Sequence, residues 1–336
     1  MKFSFILGID IAKATLDCTL LCNGEKTLYQ SIKNKHLEIK KFIIKIHQDN
    51  KISIGDMLVV MEFTGTYNDH LVDVFEEFNI PLWQCSSLHI SKSGGLQRGK
   101  NDEIDSFRIA LFALRNIDQY RPHIPVRQEV KQLKRLFAIR RNLVKTRKQI
   151  EGLTKDYDFL SPKVINAEKQ PILSSIKALD KQICVIEDQM KTIVFNDPLL
   201  LKYYTQMTSV RGISFVTTLK ILISTNEFKK IDNAKSLACQ AGIAPFSHSS
   251  GTSIKKKDRI SPIADKELKS LLHMAAIAAI SHPGELRNYY VRKVDEGKHK
   301  MTVINNVRNK LVNRIFACIN NNRIYQKNFN KCLVET

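Results

Sequence analysis

Long apolar runs are missing from this 336-residue sequence: the longest nearly apolar stretch, Leu271 to Ile280, falls well short of the roughly 20 residues a membrane helix needs. The N-terminal apolar run is broken by Asp10 before any cleavage site, so no secretory leader is expected. These absences predict a cytoplasmic, nucleoid-associated prokaryotic protein with no membrane partner. Paired cysteines are missing too. Cys18, Cys22, Cys85, Cys184, Cys239, Cys318 and Cys332 are an odd number without a CxxC pair, which excludes a disulfide framework and a zinc ribbon. None of the nine histidines stands at HxH or HxxxH spacing, so no histidine-based metal site is expected. Acid is scarce beside base: 33 Asp+Glu against 53 Lys+Arg give a net charge of +20, which suits a phosphate polymer as partner.

What is present begins with three β-type runs, FSFILGI, TLDCTLL and KTLYQSI, the last two separated by Asn23-Gly24, a two-residue hairpin signal. An amphipathic helix around His36 to Gln48 follows, then the strand MLVVME, a helix from about Tyr67 to Phe78, the strand IPLWQCS and a helix from about Glu103 to Asn116. The order βββαβαβα predicts a ribonuclease-H-like α/β domain over residues 1–122, with the first strand central and beside the fourth. From Arg127 the pattern turns helical. Leu136, Ile139, Leu143, Thr146, Ile150 and Leu153 predict one coiled-coil seam, and Ile172, Ile176, Leu179, Ile183, Ile186, Met190 and Ile193 a second. Residues 123–197 are therefore expected to form an antiparallel helical hairpin or to pair with another subunit, with a break at Ser161-Pro162 and an end at Asp197-Pro198. Residues 198–336 read as mainly helical, with a loop-rich insert from Ala241 to Pro262.

Four acids stand where such a fold brings carboxylates together. Asp10 ends the first strand, Glu62 closes the fourth, and Asp102 and Asp105 lie three apart at a helix start, on one helical face. Carboxylates repel phosphate, so an acidic cluster in a basic chain makes sense with divalent cations between them. Two Mg²⁺ ions about 4 Å apart, with Mn²⁺ as a substitute, would stabilise both oxygens of an in-line phosphoryl displacement. Taken singly, Asp102 reads as a helix N-cap, Asp105 as a first-turn acid and Glu62 as a solvent residue; the combination favours a metal site. Asp17, on the second strand, reads as a surface residue.

The C-terminal segment AGIAPFSHSSGTSIKKKDRI joins a hydroxyl-rich run to Lys255, Lys256, Lys257 and Arg259. On composition it is a flexible phosphate-binding loop, and a serine there needs a base or cations to act as nucleophile. SVRGISFVTTLK resembles a helix-hairpin-helix phosphate clamp, except that Ser214 stands where a second glycine is usual. With the basic first seam helix, the expected nucleic-acid contacts are Arg98, Lys100, Lys134, Arg135, Arg140, Arg141, Arg211, Lys255, Lys256, Lys257 and Arg259.

Together GIDIAK, MEFTGTY, LQRGKNDEIDSFRIA, VRGISFVTTL and AGIAPFSHSSG resemble the transposases of insertion sequence family one-hundred-and-ten, nearly end to end. The resemblance implies a RuvC-like domain whose DEDD tetrad falls on Asp10, Glu62, Asp102 and Asp105, and a C-terminal transposase domain whose serine falls on Ser250, with Ser249 beside it. It further implies a covalent phosphoserine link to donor and target DNA, a tetrad contributed by a partner subunit in a dimer or tetramer, and a structured guide (bridge) RNA. Related DNA invertases share the motifs. A junction resolvase or nuclease using metal-activated water needs only the N-terminal domain. A sugar-kinase-like or actin-like ATPase would need a second glycine-rich phosphate loop, which is lacking, and intact acids argue against an inert scaffold.

Overall fold

The computed structural model describes residues 3–50, 52–63, 65–93, 101–154, 162–244, 246–250, 254–259 and 264–326, with backbone alone at 54, 66, 162–168, 246–250 and 254–259. It divides into two units, Met1–Pro125 and Val126–Thr336.

The first unit is built on a five-stranded sheet of β1 (Phe5–Ile11), β2 (Thr15–Cys22), β3 (Glu25–Lys33), β4 (Met57–Glu62) and β5 (Leu82–Cys85). The strand order is β3-β2-β1-β4-β5: β1 to β3 are antiparallel, and β4 runs parallel to both β1 and β5. This is the order expected above, with the first strand beside the fourth. The Asn23-Gly24 turn takes positive φ at both residues (48° and 95°), as a tight hairpin demands. Between β3 and β4 runs α1 (His36–Asn50), and α2 (Asp69–Glu77) precedes β5. Ile39, Phe42, Ile43, Leu71, Val74 and Phe75 from these helices pack with Leu7, Ile9, Val59 and Met61 on one face of the sheet. A short helix that the sequence pattern did not signal, α3 (Ser87–Ser93), leads towards α4 (Asp102–Arg115). On the opposite face, Ile109, Ala110, Phe112 and Ala113 of α4 meet Ile6, Leu58, Val60 and Trp83. Strands buried on both faces read as continuous apolar runs, which is why MLVVME was recognisable.

The second unit contains α5 (Gln128–Gly152), α6 (Pro162–Asn196), α7 (Pro198–Thr208), α8 (Phe215–Thr225), α9 (Ala234–Gln240), a β-hairpin of β6 (Phe246–Ser250) and β7 (Ile254–Arg259), then α10 (Lys266–Ile280), α11 (Glu285–Asp295) and α12 (Lys300–Asn320). Helices α5 and α6 are antiparallel partners: Arg140 bonds Glu187 at 2.6 Å, and seven residues on, Arg147 bonds Asp180, seven residues back, at 2.5 Å. The second seam is turned inward as its spacing predicted: Ile172, Ile176, Leu179, Ile183, Ile186 and Ile193 are partly buried and Met190 is fully buried. The first is corrected in part. Val130, Leu133 and Phe137 are the buried residues of α5, whereas Ile139 and Leu153 are 46% and 63% exposed, because Arg140 and Arg147 take the positions that face α6. Val130, Leu133, Phe137, Met190 and Val194 join the same core as α7, α8, α10 and α12, so the hairpin's base is built into the helical unit. Asp197 caps α7 by accepting from Leu200 N at 2.8 Å, and Pro198 sits at that helix's start, a position where its missing N–H costs nothing.

The loop-rich insert is also corrected. Phe246 to Ser250 and Ile254 to Arg259 pair as antiparallel strands, with Ser250 opposite Ile254 and Ser249 opposite Lys255. Neither strand alternates apolar with polar residues, so the pairing, which rests on backbone hydrogen bonds, left no periodic signal. Ser214 is the N-cap of α8, its hydroxyl oxygen accepting from Thr217 N. Gly212, at φ +93°, allows close approach: a Cβ there would lie 2.4 Å from Ala275 O of α10. This turn is thus fixed by capping and helix packing. Among the described residues no helix is long and apolar enough to cross a membrane.

Candidate active site

The register of the central strands sets the geometry. Ile9 pairs with Met61, so Asp10 and Glu62 are the next residues on adjacent parallel strands. Ile9 and Met61 belong to the core on the α1/α2 face, which turns their successors to the α4 face. Gly8 lets α4 come down onto β1: a Cβ at Gly8 would meet Ser106 O at 2.4 Å and Ala110 N at 2.5 Å. Buried Thr19, opposite Gly8 on β2, shares a 2.8 Å hydroxyl bond with Ser106 and ties α4 to a second strand. These contacts bring the first turn of α4, with Asp102 and Asp105, over the strand ends.

The loops around the site are tied down as well. Asn34 donates to Ala12 O and Tyr67 O, both at 3.1 Å, and buried Asn68 donates to Glu62 O at 2.9 Å. The N-cap of α4 is Asn101, which accepts from Ile104 N at 2.8 Å, so the Asp102 carboxylate is exposed and not consumed in capping. Asp105 is partly buried and accepts from Arg108 Nη1 at 3.0 Å. Acids in a first helical turn are favoured by the helix dipole, so the placement costs the helix little.

Asp10, Glu62 and Asp105 line one cleft of about 920 Å³, with Ser87, Arg108 and Arg115 in its walls. Asp102 lies close enough to act on Asp10. Burial first, then the negative charge of Asp105, with Asp102 and Asp17 contributing, pushes the Asp10 carboxyl above its ordinary range, against a hydrogen bond from Ile11 N–H that favours the charged form. Asp10 has no basic partner among the described residues. A half-buried carboxylate surrounded by its own sign is suited to a divalent cation, which removes the repulsion. As the side chains stand, no group of three or more His, Cys, Asp or Glu residues among those described is close enough together to hold an ion. Mutual repulsion and the pull of Arg108 on Asp105 both act against closure.

Asp17 is a correction. It is 5% exposed, directly opposite Asp10 in the β1–β2 pairing, and its Oδ1 accepts from Tyr29 Oη at 2.8 Å. That bond pushes the Tyr29 hydroxyl up to about 12. The two-residue alternation of β2 placed Asp17 on the same face as Thr19, but a lone acid at a strand start reads as solvent-facing until α4 is known to cover that face.

Ser250 ends β6, and Gly251 lies outside the described residues; the side chains of Ser249, Ser250, Lys255, Lys256, Lys257 and Arg259 also lie outside them, as do Arg98 and Lys100 altogether. Of the other expected nucleic-acid contacts, Arg140 is neutralised by Glu187, Arg141 lies 3.7 Å from Glu267 and Arg211 donates to Pro283 O at 2.6 Å. Arg135 is exposed.

Comparison with known proteins matches residues 204–291 to a model described as the transposase IS116/IS110/IS902 family, and residues 7–153 to the IS110 DEDD transposase model. The pilin gene-inverting proteins of Moraxella bovis and Moraxella lacunata are each 25% identical over 334 residues, covering 96% of this chain and 97% of theirs. An uncharacterised 43.6 kDa protein of insertion element IS110 from Streptomyces coelicolor is 25% identical over 155 residues, 46% of this chain and 37% of that one. Among solved structures, Thermus thermophilus RuvC with a Holliday junction substrate gives a TM-score of 0.27 at 13% identity, over 35% of this chain and 99% of that one. With both family models matched along one chain, in the order acidic domain then transposase domain, the protein belongs to the IS110 family of transposases, enzymes that recombine DNA.

Proposed function

We propose that this transposase cuts and rejoins DNA by joining two sets of groups: Asp10, Glu62, Asp102 and Asp105 of a RuvC-like part, residues 1–122, and Ser250 of a transposase part, residues 198–336, with the helical hairpin of 123–197 between them. The observation that carries the reading is the shared cleft of Asp10, Glu62 and Asp105, inside the segment matched by the DEDD model. The acidic side chains would hold Mg²⁺, or Mn²⁺ in its place, with Asp10 and Glu62 as the strand-borne floor and Asp102 and Asp105 as the helix-borne wall. Bound Mg²⁺ supplies neutralisation of phosphate charge and orientation of the attacking and leaving oxygens.

The Ser250 hydroxyl oxygen attacks the scissile phosphorus. As that bond forms, the bond from phosphorus to a sugar oxygen breaks, and the hydroxyl proton passes in net to the departing oxygen; rejoining reverses both changes. The neighbouring Lys255, Lys256, Lys257 and Arg259 offer positive charge to the phosphate in the transition state. The net charge of +20 supports a guide RNA bound beside the DNA, in a cytoplasmic, nucleoid-associated particle. Exposed Ile139, Leu173 and Val185 on the hairpin support self-association into a dimer or tetramer. A second reading, inversion of a DNA segment in place, is favoured by near end-to-end similarity to the pilin gene-inverting proteins.

The test is incubation with element-end DNA and Mg²⁺, followed by denaturing electrophoresis for a protein–DNA adduct. The adduct is expected from the unaltered protein and lost in Ser250→Ala and in Asp10→Asn. An adduct persisting in Ser250→Ala refutes the serine's role, and strand cleavage that survives Ser250→Ala without any adduct assigns attack to water.

A further inference from the structure

Asp17 has no assigned task in the tetrad, yet its setting is unusual for a carboxylate. It is 5% exposed, faces Asp10 across the β1–β2 pair, and has no basic partner among the described residues; its one bonded neighbour is the Tyr29 hydroxyl, at 2.8 Å. The charges that push the Tyr29 hydroxyl up are those of Asp17, Glu103 and Asp102. Lys26 is paired with Glu103 and lies over the rings of Tyr29 and Phe107, 5.5 Å and 5.8 Å from their centroids. Asparagine would accept the same tyrosine bond, so what a carboxylate adds at this position is negative charge, and that charge acts on Asp10.

We infer that Asp17, held by Tyr29, is a positioning residue of the cation site, a fifth carboxylate whose charge adds to that of Asp10 across the strand pair and sets how tightly the divalent ion binds. The inference rests on the metal-dependent reading above. Tyr29 fixes one oxygen of Asp17, so the carboxylate cannot rotate freely, and the α4 face that covers it also carries Asp102 and Asp105. Supporting carboxylates of this kind raise the local negative potential and orient the groups in contact with the ion, and their loss lowers metal affinity by about 10- to 100-fold.

The experiment measures Mn²⁺ binding to the full-length protein by electron paramagnetic resonance, without DNA, alongside thermal melts in EDTA and in Mg²⁺. Asp17→Asn is expected to weaken Mn²⁺ binding about tenfold or more. Its melting temperature in EDTA should equal or exceed that of the unaltered protein, because repulsion has been relieved, while the rise on adding Mg²⁺ shrinks. Tyr29→Phe, which keeps the ring and removes the bond, should weaken Mn²⁺ binding less but in the same direction, and it carries the test should Asp17→Asn fail to fold. Asp10→Asn is the reference and should abolish binding. Mn²⁺ affinity unchanged in Asp17→Asn and Tyr29→Phe while lost in Asp10→Asn overturns the inference and leaves the metal reading standing. A lower melting temperature in EDTA with unchanged Mn²⁺ affinity also overturns it, as the mark of a purely structural bond. Mn²⁺ binding that survives Asp10→Asn refutes the metal reading itself, and the inference falls with it.

Discussion

Replacing Gly8 by alanine should disable the acidic site without touching an acid. The added Cβ would lie 2.4 Å from Ser106 O, 2.5 Å from Ala110 N and 2.7 Å from Ala110 Cβ. Ordinary contact begins near 3.4 Å, so α4 must retreat from β1 by about 1 Å. Two of the three clashing atoms are backbone, and no side-chain rotation relieves them. Overpacking of this kind costs about 1–3 kcal/mol, which for a unit of this size lowers the melting temperature by roughly 3–12 °C. The larger effect falls on function. The retreat carries Asp102 and Asp105 away from Asp10 and Glu62, and a misplacement of about 1 Å costs on the order of 100-fold in rate. The assay pairs a thermal melt with Mg²⁺-dependent cleavage of element-end DNA at a temperature where the variant is fully folded. Adding Ala110→Gly removes only the Cβ contact, so it should not restore cleavage. A folded Gly8→Ala variant that cleaves at the unaltered rate would refute the claim that close approach of α4 to β1 places the carboxylates.

Asp10→Asn should stabilise the metal-free protein in a pH-dependent way. The Asp10 carboxyl is raised above 3.8, so the folded state favours the protonated form; the charged form's penalty is absent below that value and complete above the raised one. In EDTA the variant should therefore be more stable than the unaltered protein at neutral pH, the gap closing as pH falls through the raised value and gone below 3.8, as urea unfolding at several pH values will show. Arg127→Met should be severely destabilising, by about 3–5 kcal/mol, because Arg127 pairs with both Asp197 and the fully buried Glu227. Urea unfolding measures it, and a loss under 1 kcal/mol would show that Lys229, 3.3 Å from Glu227, suffices alone.

The first unit was legible because its strands bury both faces and its turns carry strong local signals, so strand order and the positions of Asp10 and Glu62 followed from the pattern. Asp105 followed from its place at a helix start. Asp17 did not, since what buries it is α4, some ninety residues away, and what holds it is Tyr29 on the next strand. The buried face of α5 is hidden from the pattern for a related reason. Arginine reads as solvent-facing, yet Arg140 and Arg147 lie between the helices because Glu187 and Asp180 wait there. The β6–β7 pairing left no trace in hydropathy, as its strands are hydroxyl-rich and basic on both sides. The side-chain chemistry of Ser250 rests on family resemblance.

Those two arginine pairs also govern how the α5–α6 arm can move. A slip of one helical turn between the helices would set Arg140 against Ile183 and Arg147 against Ile176, breaking both inter-helix pairs at once and leaving Arg147 only Glu151 of its own helix. The two pairs thus favour one register, and since α5 alone is about 37 Å long, a small tilt at the arm's rooted end would become a displacement of many ångströms at the far end of α5.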